Sequence, residues 1–163
     1  MSRGILNPER AMDLPLFATY LIACGAAATT GAMFNPGEWY LSLSKPKWTP
    51  PGWVFPVVWT SLYICMAVSA ARVAVLPNTG LALALWSVQI AFNTLWTPVF
   101  FGLRRLRAAM IVMLGLWLSV AATLVAFASH DSVAGLLFAP YLLWVTIAGA
   151  LNFSVLQRNP ASA

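Results

Sequence analysis

The chain has 163 residues, 61% of them hydrophobic and only 8% charged, with a net charge of +5 and a mean hydropathy of +0.80. A soluble domain averages about a quarter charged residues, so this composition cannot supply a water-facing surface. The positive excess is read as a membrane-orientation signal, and no nucleic-acid partner is expected.

Residues 1–13 contain Arg3, Glu9, Arg10 and Asp13 and no apolar core, so they read as a polar lead-in rather than a signal peptide. Five apolar stretches follow, Leu14–Phe34, Trp53–Val75, Leu81–Leu103, Ala108–Ala128 and Val133–Leu156, each of 21 to 24 residues. At about 1.5 Å per residue each covers the roughly 30 Å hydrocarbon core with some tilt. Alternating strand patterns are missing, which argues against a membrane barrel. The expected fold is all-α: an integral membrane bundle of five transmembrane helices forming one domain over residues 14–158, with a tail over 159–163.

In the first span Ala23, Ala27 and Gly31 share a stripe of small residues. Such a stripe lets helices approach closely, inside the bundle on the first reading and at a dimer seam on the second. Asn35-Pro36-Gly37 should stop this helix, Glu38–Leu43 should make one short amphipathic turn or helix, and Lys45–Gly52 should be extended because proline disfavours helix before it. Pro56 falls in the first turn of the second span, where its missing donor costs little. The links at 76–80, 104–107 and 129–132 are short and force antiparallel neighbours. Pro98 and Pro140 should kink the third and fifth spans. Cys24 and Cys65 fall within spans, where no disulfide is expected.

The connector between the first two spans is unlike the others. Trp39, Tyr40, Trp48, Trp53, Phe55, Trp59 and Tyr63 crowd into it and the start of the second span, with Pro46, Pro50, Pro51 and Pro56. A membrane connector is ordinarily short and polar because its backbone must be hydrated. A long, proline-stiffened, aromatic one suits a lid over a pocket. Trp48, Trp53 and Trp39 also fit an interfacial belt.

Three helical faces point the same way. Gln89, Asn93, Trp96 and Phe100 share one face of the third span, Phe55, Trp59, Tyr63 and Met66 one of the second, and Tyr141, Trp144, Ala148 and Leu151 one of the fifth, with Asn152 adjacent. Carboxamides in hydrocarbon need partners, either a neighbouring helix or a ligand. Together these faces would surround a flat, apolar π-system. His130 is the only histidine, and Glu38 and Asp131 are the only acids past the lead-in. That set suits neither a metal centre, a catalytic triad nor a proton relay. A haem would lack an axial histidine in the bundle, so a metal-free porphyrin fits better, and no cofactor is expected.

Charge sets the expected orientation. Lys45, Lys47, Arg104, Arg105, Arg107 and Arg158 share one face, while Arg3, Arg10 and Arg72 on the other are diluted by acids. In a bacterial inner membrane this places the first loop and carboxyl terminus in the cytoplasm; for an outer membrane the rule carries no meaning, so the membrane itself is left open.

Linked motifs now point to a family. Trp39-Tyr40, Lys45-Pro46-x-Trp48-Thr49-Pro50-Pro51-x-Trp53, Phe55-Pro56-x-x-Trp59 and Tyr63 resemble the first-loop signature of the TspO/MBR family, the tryptophan-rich sensory proteins and translocator proteins. Gln89-x-x-x-Asn93-x-x-Trp96-x-Pro98-x-Phe100-Phe101 is similar to its third helix, and Pro140-Tyr141-x-x-Trp144 with Leu151-Asn152-Phe153 to its fifth. The likeness covers Leu14 to about Arg158 and is nearest to bacterial members from purple photosynthetic species. It implies a five-helix bundle, usually a homodimer, that binds porphyrins such as protoporphyrin IX and benzodiazepine-type drugs. The implied ligand-binding residues are Trp39, Tyr40, Pro50, Trp59, Asn93, Trp96, Phe100 and Trp144. The sterol motif of animal members is broken here, since Phe153 stands where it needs tyrosine before Arg158, so sterol or lipid binding is expected to be weak. The implied function is a receptor or carrier for tetrapyrroles. The alternative is a light- and oxygen-dependent porphyrin-degrading enzyme working through radicals on Trp59 and Trp144.

Overall fold

The computed structural model describes residues 13–34 and 36–160. Residues 1–12 of the lead-in, Asn35 of the expected helix stop and tail residues 161–163 lie outside the described residues. The described chain is helical: α1 (Leu14–Met33), α2 (Glu38–Ser42), α3 (Val54–Ala74), α4 (Gly80–Thr97), a π-helical turn (Pro98–Gly102), α5 (Leu106–His130) and α6 (Ser132–Arg158).

Local chemistry sets the helix ends. Asp13 caps α1 by accepting the Leu16 amide at 3.0 Å, and Asp131 caps α6 by accepting the Val133 amide at 2.9 Å. Inside the helices, hydroxyls that lipid cannot satisfy bond back to the preceding turn, as Thr30 does to the Ala27 carbonyl and Thr60 to that of Pro56. α2 is the short helix expected after Gly37, and the chain from Leu43 to α3 is extended apart from two turns, closed by the Thr49 amide on the Pro46 carbonyl and the Val54 amide on that of Pro51.

Of the five expected spans, α1, α3, α5 and α6 are long and apolar enough to cross a membrane. The third expected span is divided. α4 is the helix that carries Gln89 and Asn93, which lower its hydropathy, and it ends at Thr97, where Pro98 opens the π turn. Proline removes an amide donor and clashes with the preceding turn, so the helix widens there instead of continuing. Pro140, by contrast, lies within α6, on its exposed side.

The long helices close a ring. α1 packs on α3 and α4, α3 on α6, α6 on α5, and α5 on α4. The α5–α6 hairpin is tight enough that a Cβ on Gly135 would come 2.7 Å from the Ala128 backbone. The ring is apolar outside and partly polar within: Ile22, Leu81, Ile111 and Leu136 face outward, while Gln89, Asn93, Ser119, Thr123 and Asn152 are buried. This is the arrangement lipid requires, since unpaired polar groups are costly in hydrocarbon. The chain is an integral membrane protein.

At the end away from the aromatic loop, Arg72 near the end of α3 reaches Asp131, with Nε and Nη2 at 2.9 and 2.8 Å from Oδ2. Burial pushes the Asp131 carboxyl upward in pKa, but the Val133 and Ala134 amides and the Arg72 guanidinium outweigh it and hold it below the ordinary value. This contact ties α3 to the α5–α6 corner.

Candidate functional site

The buried side chains form two clusters. One fills the middle of the ring around Met66, Trp86, Phe138, Tyr141 and Trp144. The other lies under the first loop around Leu43, Phe100, Leu106, Leu151 and Val155. Phe55 and Trp96 pack against both, so the candidate site is the zone where the two meet.

The π turn builds the loop side of this zone. Phe100 stacks on Trp96 at 4.9 Å and meets Trp39 and Tyr40 edge-on at 5.9 and 6.2 Å. Phe101 is turned toward the same rings, 5.3 Å from Tyr40 and 5.9 Å from Trp96. Sequence reasoning omitted Phe101 from the site, although the paired phenylalanines after Pro98 were its signal. Pro50 is half-buried in the extended stretch of the loop. Burial raises the Tyr40 phenol above its ordinary pKa, so Tyr40 remains neutral at physiological pH.

Deeper in, the rings come from α3 and α6. Trp59 lies 5.4 Å from Tyr63 and 5.9 Å from Tyr141, and Phe55 meets Trp144 edge-on at 5.7 Å. Asn93 joins these helices to α4. The Tyr63 hydroxyl donates to Asn93 Oδ1 at 2.9 Å, and Asn93 Nδ2 donates to the Tyr141 hydroxyl at 3.0 Å. Both ends of the carboxamide are thereby engaged by protein, which makes Asn93 a cross-link under the rings. Gln89, one turn away, is fully buried with neither amide atom bonded, and the Trp96 and Trp144 indole N–H groups are also buried without acceptors. Buried polar groups without a partner are rare and each calls for an explanation; the Trp86 indole N–H and Asn152 Oδ1 share this state.

The loop is clamped to the end of α6 and braced within itself. Asn159, just past α6, accepts the Ser44 amide and donates to the Ser44 carbonyl, both at 2.9 Å. Lys45 donates to the carbonyls of Tyr40, Leu41 and Leu43 and lies 4.4 Å over the Tyr40 ring. Neither fastening was expected from the sequence, where Asn159 reads only as the start of the tail. A separate groove of about 630 Å³ lies elsewhere, between α1 and α4, lined by Ala23, Ala26, Ala27, Ile90, Thr94 and Pro98.

Seven of the eight expected ligand-binding residues thus contribute to this zone: Trp39 and Tyr40 from α2, Trp59 from α3, Asn93 and Trp96 from α4, Phe100 from the π turn and Trp144 from α6. Residues 17–158, nearly the whole described chain, match the TspO/MBR family. The chain belongs to the TspO/MBR family. Among its relatives are Protein CrtK of Rhodobacter capsulatus, 59% identical over 91% of this chain and 96% of that one. A tryptophan-rich sensory protein of Cereibacter sphaeroides is 56% identical over 91% of this chain and 94% of its own. The human translocator protein is 34% identical over 86% and 88%.

Proposed function

We propose that this TspO/MBR protein is a membrane receptor or carrier for porphyrins of the protoporphyrin IX type, seated among the aromatic rings under the first loop. The observation that carries this reading is the convergence of Trp59, Trp96 and Trp144 from three helices beneath a loop that adds Trp39 and Tyr40. Each ring stacked on a flat ligand adds about 0.5–1.5 kcal/mol beyond area burial. Admission of the ligand requires the edge-on pairs to part and the loop to rise from its Asn159 clamp, a shift between conformations that ligand binding drives. Benzodiazepine-type drugs compete for the same rings, sterols bind weakly, and the protein works as a homodimer. In this reading α4 with its π turn is the third of five spans, its polar face shielded inside the ring, and in a bacterial inner membrane the loop would face the cytoplasm.

The test is co-elution of protoporphyrin IX with the detergent-solubilised protein at one porphyrin per chain, displaced by a benzodiazepine-type drug. Porphyrin that elutes only with empty micelles contradicts the proposal. A second reading, porphyrin breakdown in light and oxygen, draws support from Trp59, whose ring contacts with Tyr63 and Tyr141 give a tryptophan radical two phenols with which to exchange. Product formed under illumination and lost in the Trp59→Phe, Trp144→Phe double variant favours that reading over a carrier.

A further inference from the structure

Six cations stand at the loop end of the bundle, Lys45, Lys47, Arg104, Arg105, Arg107 and Arg158, and they are not equivalent. The Lys45 ammonium is spent on three carbonyls at the end of α2. Lys47, Arg105 and Arg107 are exposed, and Arg158 is exposed with its Nε turned to Ser154 of its own helix at 3.3 Å. Arg104 is exposed as well, and its backbone and its neighbouring ring set it apart. Its φ of +56° is left-handed, a conformation that costs an L-residue energy and that Gly or Asn would adopt more cheaply. The chain is held there by the Leu103 amide on the Pro98 carbonyl at 2.8 Å and the Arg105 amide on that of Val99 at 3.3 Å. The guanidinium carbon lies 5.9 Å from the centre of the Trp39 ring. Trp39 in turn touches Phe100. Among the described residues Arg104 has no carboxylate partner, so its fork of donors is open at the rim of the aromatic zone.

We propose that Arg104 is the carboxylate anchor of this site: held over Trp39 at the rim, it pairs with an ionised carboxylate carried on the edge of the flat ligand. This rests on the proposed porphyrin-binding reading and deepens it by naming the ligand's required substituent. A guanidinium pairs bidentately with a planar carboxylate, and an indole face within about 6 Å attracts the cation electrostatically. The aromatic zone is apolar and rewards area, whereas the anchor sets the ligand's direction, with its acidic edge toward the loop and the rest of the ring inward. A flat ligand without an acidic edge then binds with no preferred direction.

The test compares protoporphyrin IX with its dimethyl ester, which keeps the ring and removes both charges. Binding is read by tryptophan quenching in uncharged detergent at fixed salt, on the full chain and on R104Q, R104K and R107Q. The wild type should prefer the acid by about two- to fivefold, the upper range for an ion pair at an exposed guanidinium. R104Q should bring the two ligands to equal affinity without changing the ester, R104K should keep part of the preference, and R107Q should keep all of it. Equal binding of acid and ester by the wild type overturns the anchor while leaving the porphyrin reading standing. An equal loss in R107Q overturns it in favour of diffuse charge, and an R104Q that weakens the ester as much as the acid reduces Arg104 to packing on Trp39. If neither ligand binds the wild type, the porphyrin reading itself fails.

Discussion

Asn93 offers a sharp test of how the site is built, because a ligand contact and a cross-link respond differently to its removal. Asn93→Leu keeps the branching of the side chain and deletes both bonds, the one from Tyr63 at 2.9 Å and the one to Tyr141 at 3.0 Å. Tyr141 is fully buried, so its hydroxyl has no water to turn to. Side-chain hydrogen bonds in membrane bundles average about 0.6 and reach about 1.7 kcal/mol. Losing two therefore costs about 1–3 kcal/mol. On the soluble-protein scale for this length, that lowers Tm by roughly 3–10 °C. Tyr63→Phe removes one bond only and should cost about half as much. The assay is thermal unfolding in detergent, followed by near-ultraviolet circular dichroism. If Asn93→Leu melts with the wild type and loses only ligand affinity, Asn93 is a ligand contact and the cross-link carries no energy.

Trp144→Ala should weaken porphyrin binding by about 1–3 kcal/mol, the range for a buried aromatic anchor, whereas Trp117→Ala on the outer side of α5 should leave affinity unchanged; equal losses would mean that tryptophans act through general packing. Asp131 gives a pH dependence. Its folded pKa lies below the unfolded value, so its stabilisation is present above about pH 3.9 and is lost as pH falls through the depressed folded value. Asp131→Asn should flatten that acid limb in a pH series of melting temperatures, and an unchanged limb would show that the amide cap and the Arg72 contact together carry little energy. A cysteine at the exposed Ser44 should react with an impermeant thiol reagent from the cytoplasmic side, more slowly with ligand bound and faster in Asn159→Ala, which cuts the Ser44 clamp. Labelling from the opposite face overturns the orientation, and labelling indifferent to ligand removes the lid.

The helical frame was legible because hydropathy and length alone specify a membrane helix, and the outward Ile22, Leu81, Ile111 and Leu136 are apolar as lipid demands. The aromatic faces were legible too, since four-residue spacing brings Trp59 to Tyr63 on α3 and Trp96 to Phe100 past α4. The π turn was hidden. A proline in a span predicts a kink, but not that the kink takes the form of a π turn that sets Phe100 and Phe101 against Tyr40. Long-range polar contacts were hidden for a related reason. Asn159 and Ser44 are 115 residues apart and fall in segments that read as tail and linker. Likewise, Arg104 reads as one of several orienting cations, and only its left-handed backbone and the Trp39 ring beneath it set it apart. Patterns with a helical period can be read along one chain, whereas contacts between loops depend on where the bundle brings their ends together.

The most direct measurement of porphyrin binding is a fluorescence titration of the purified protein with protoporphyrin IX, using the tryptophans as reporters. Trp59, Trp96 and Trp144 all lie in the proposed seat, so quenching should be saturable, with micromolar affinity, about −8 kcal/mol. It should exceed the quenching given by an equally absorbing dye that does not bind. Quenching that rises linearly with porphyrin and matches the dye would contradict a porphyrin site in this bundle.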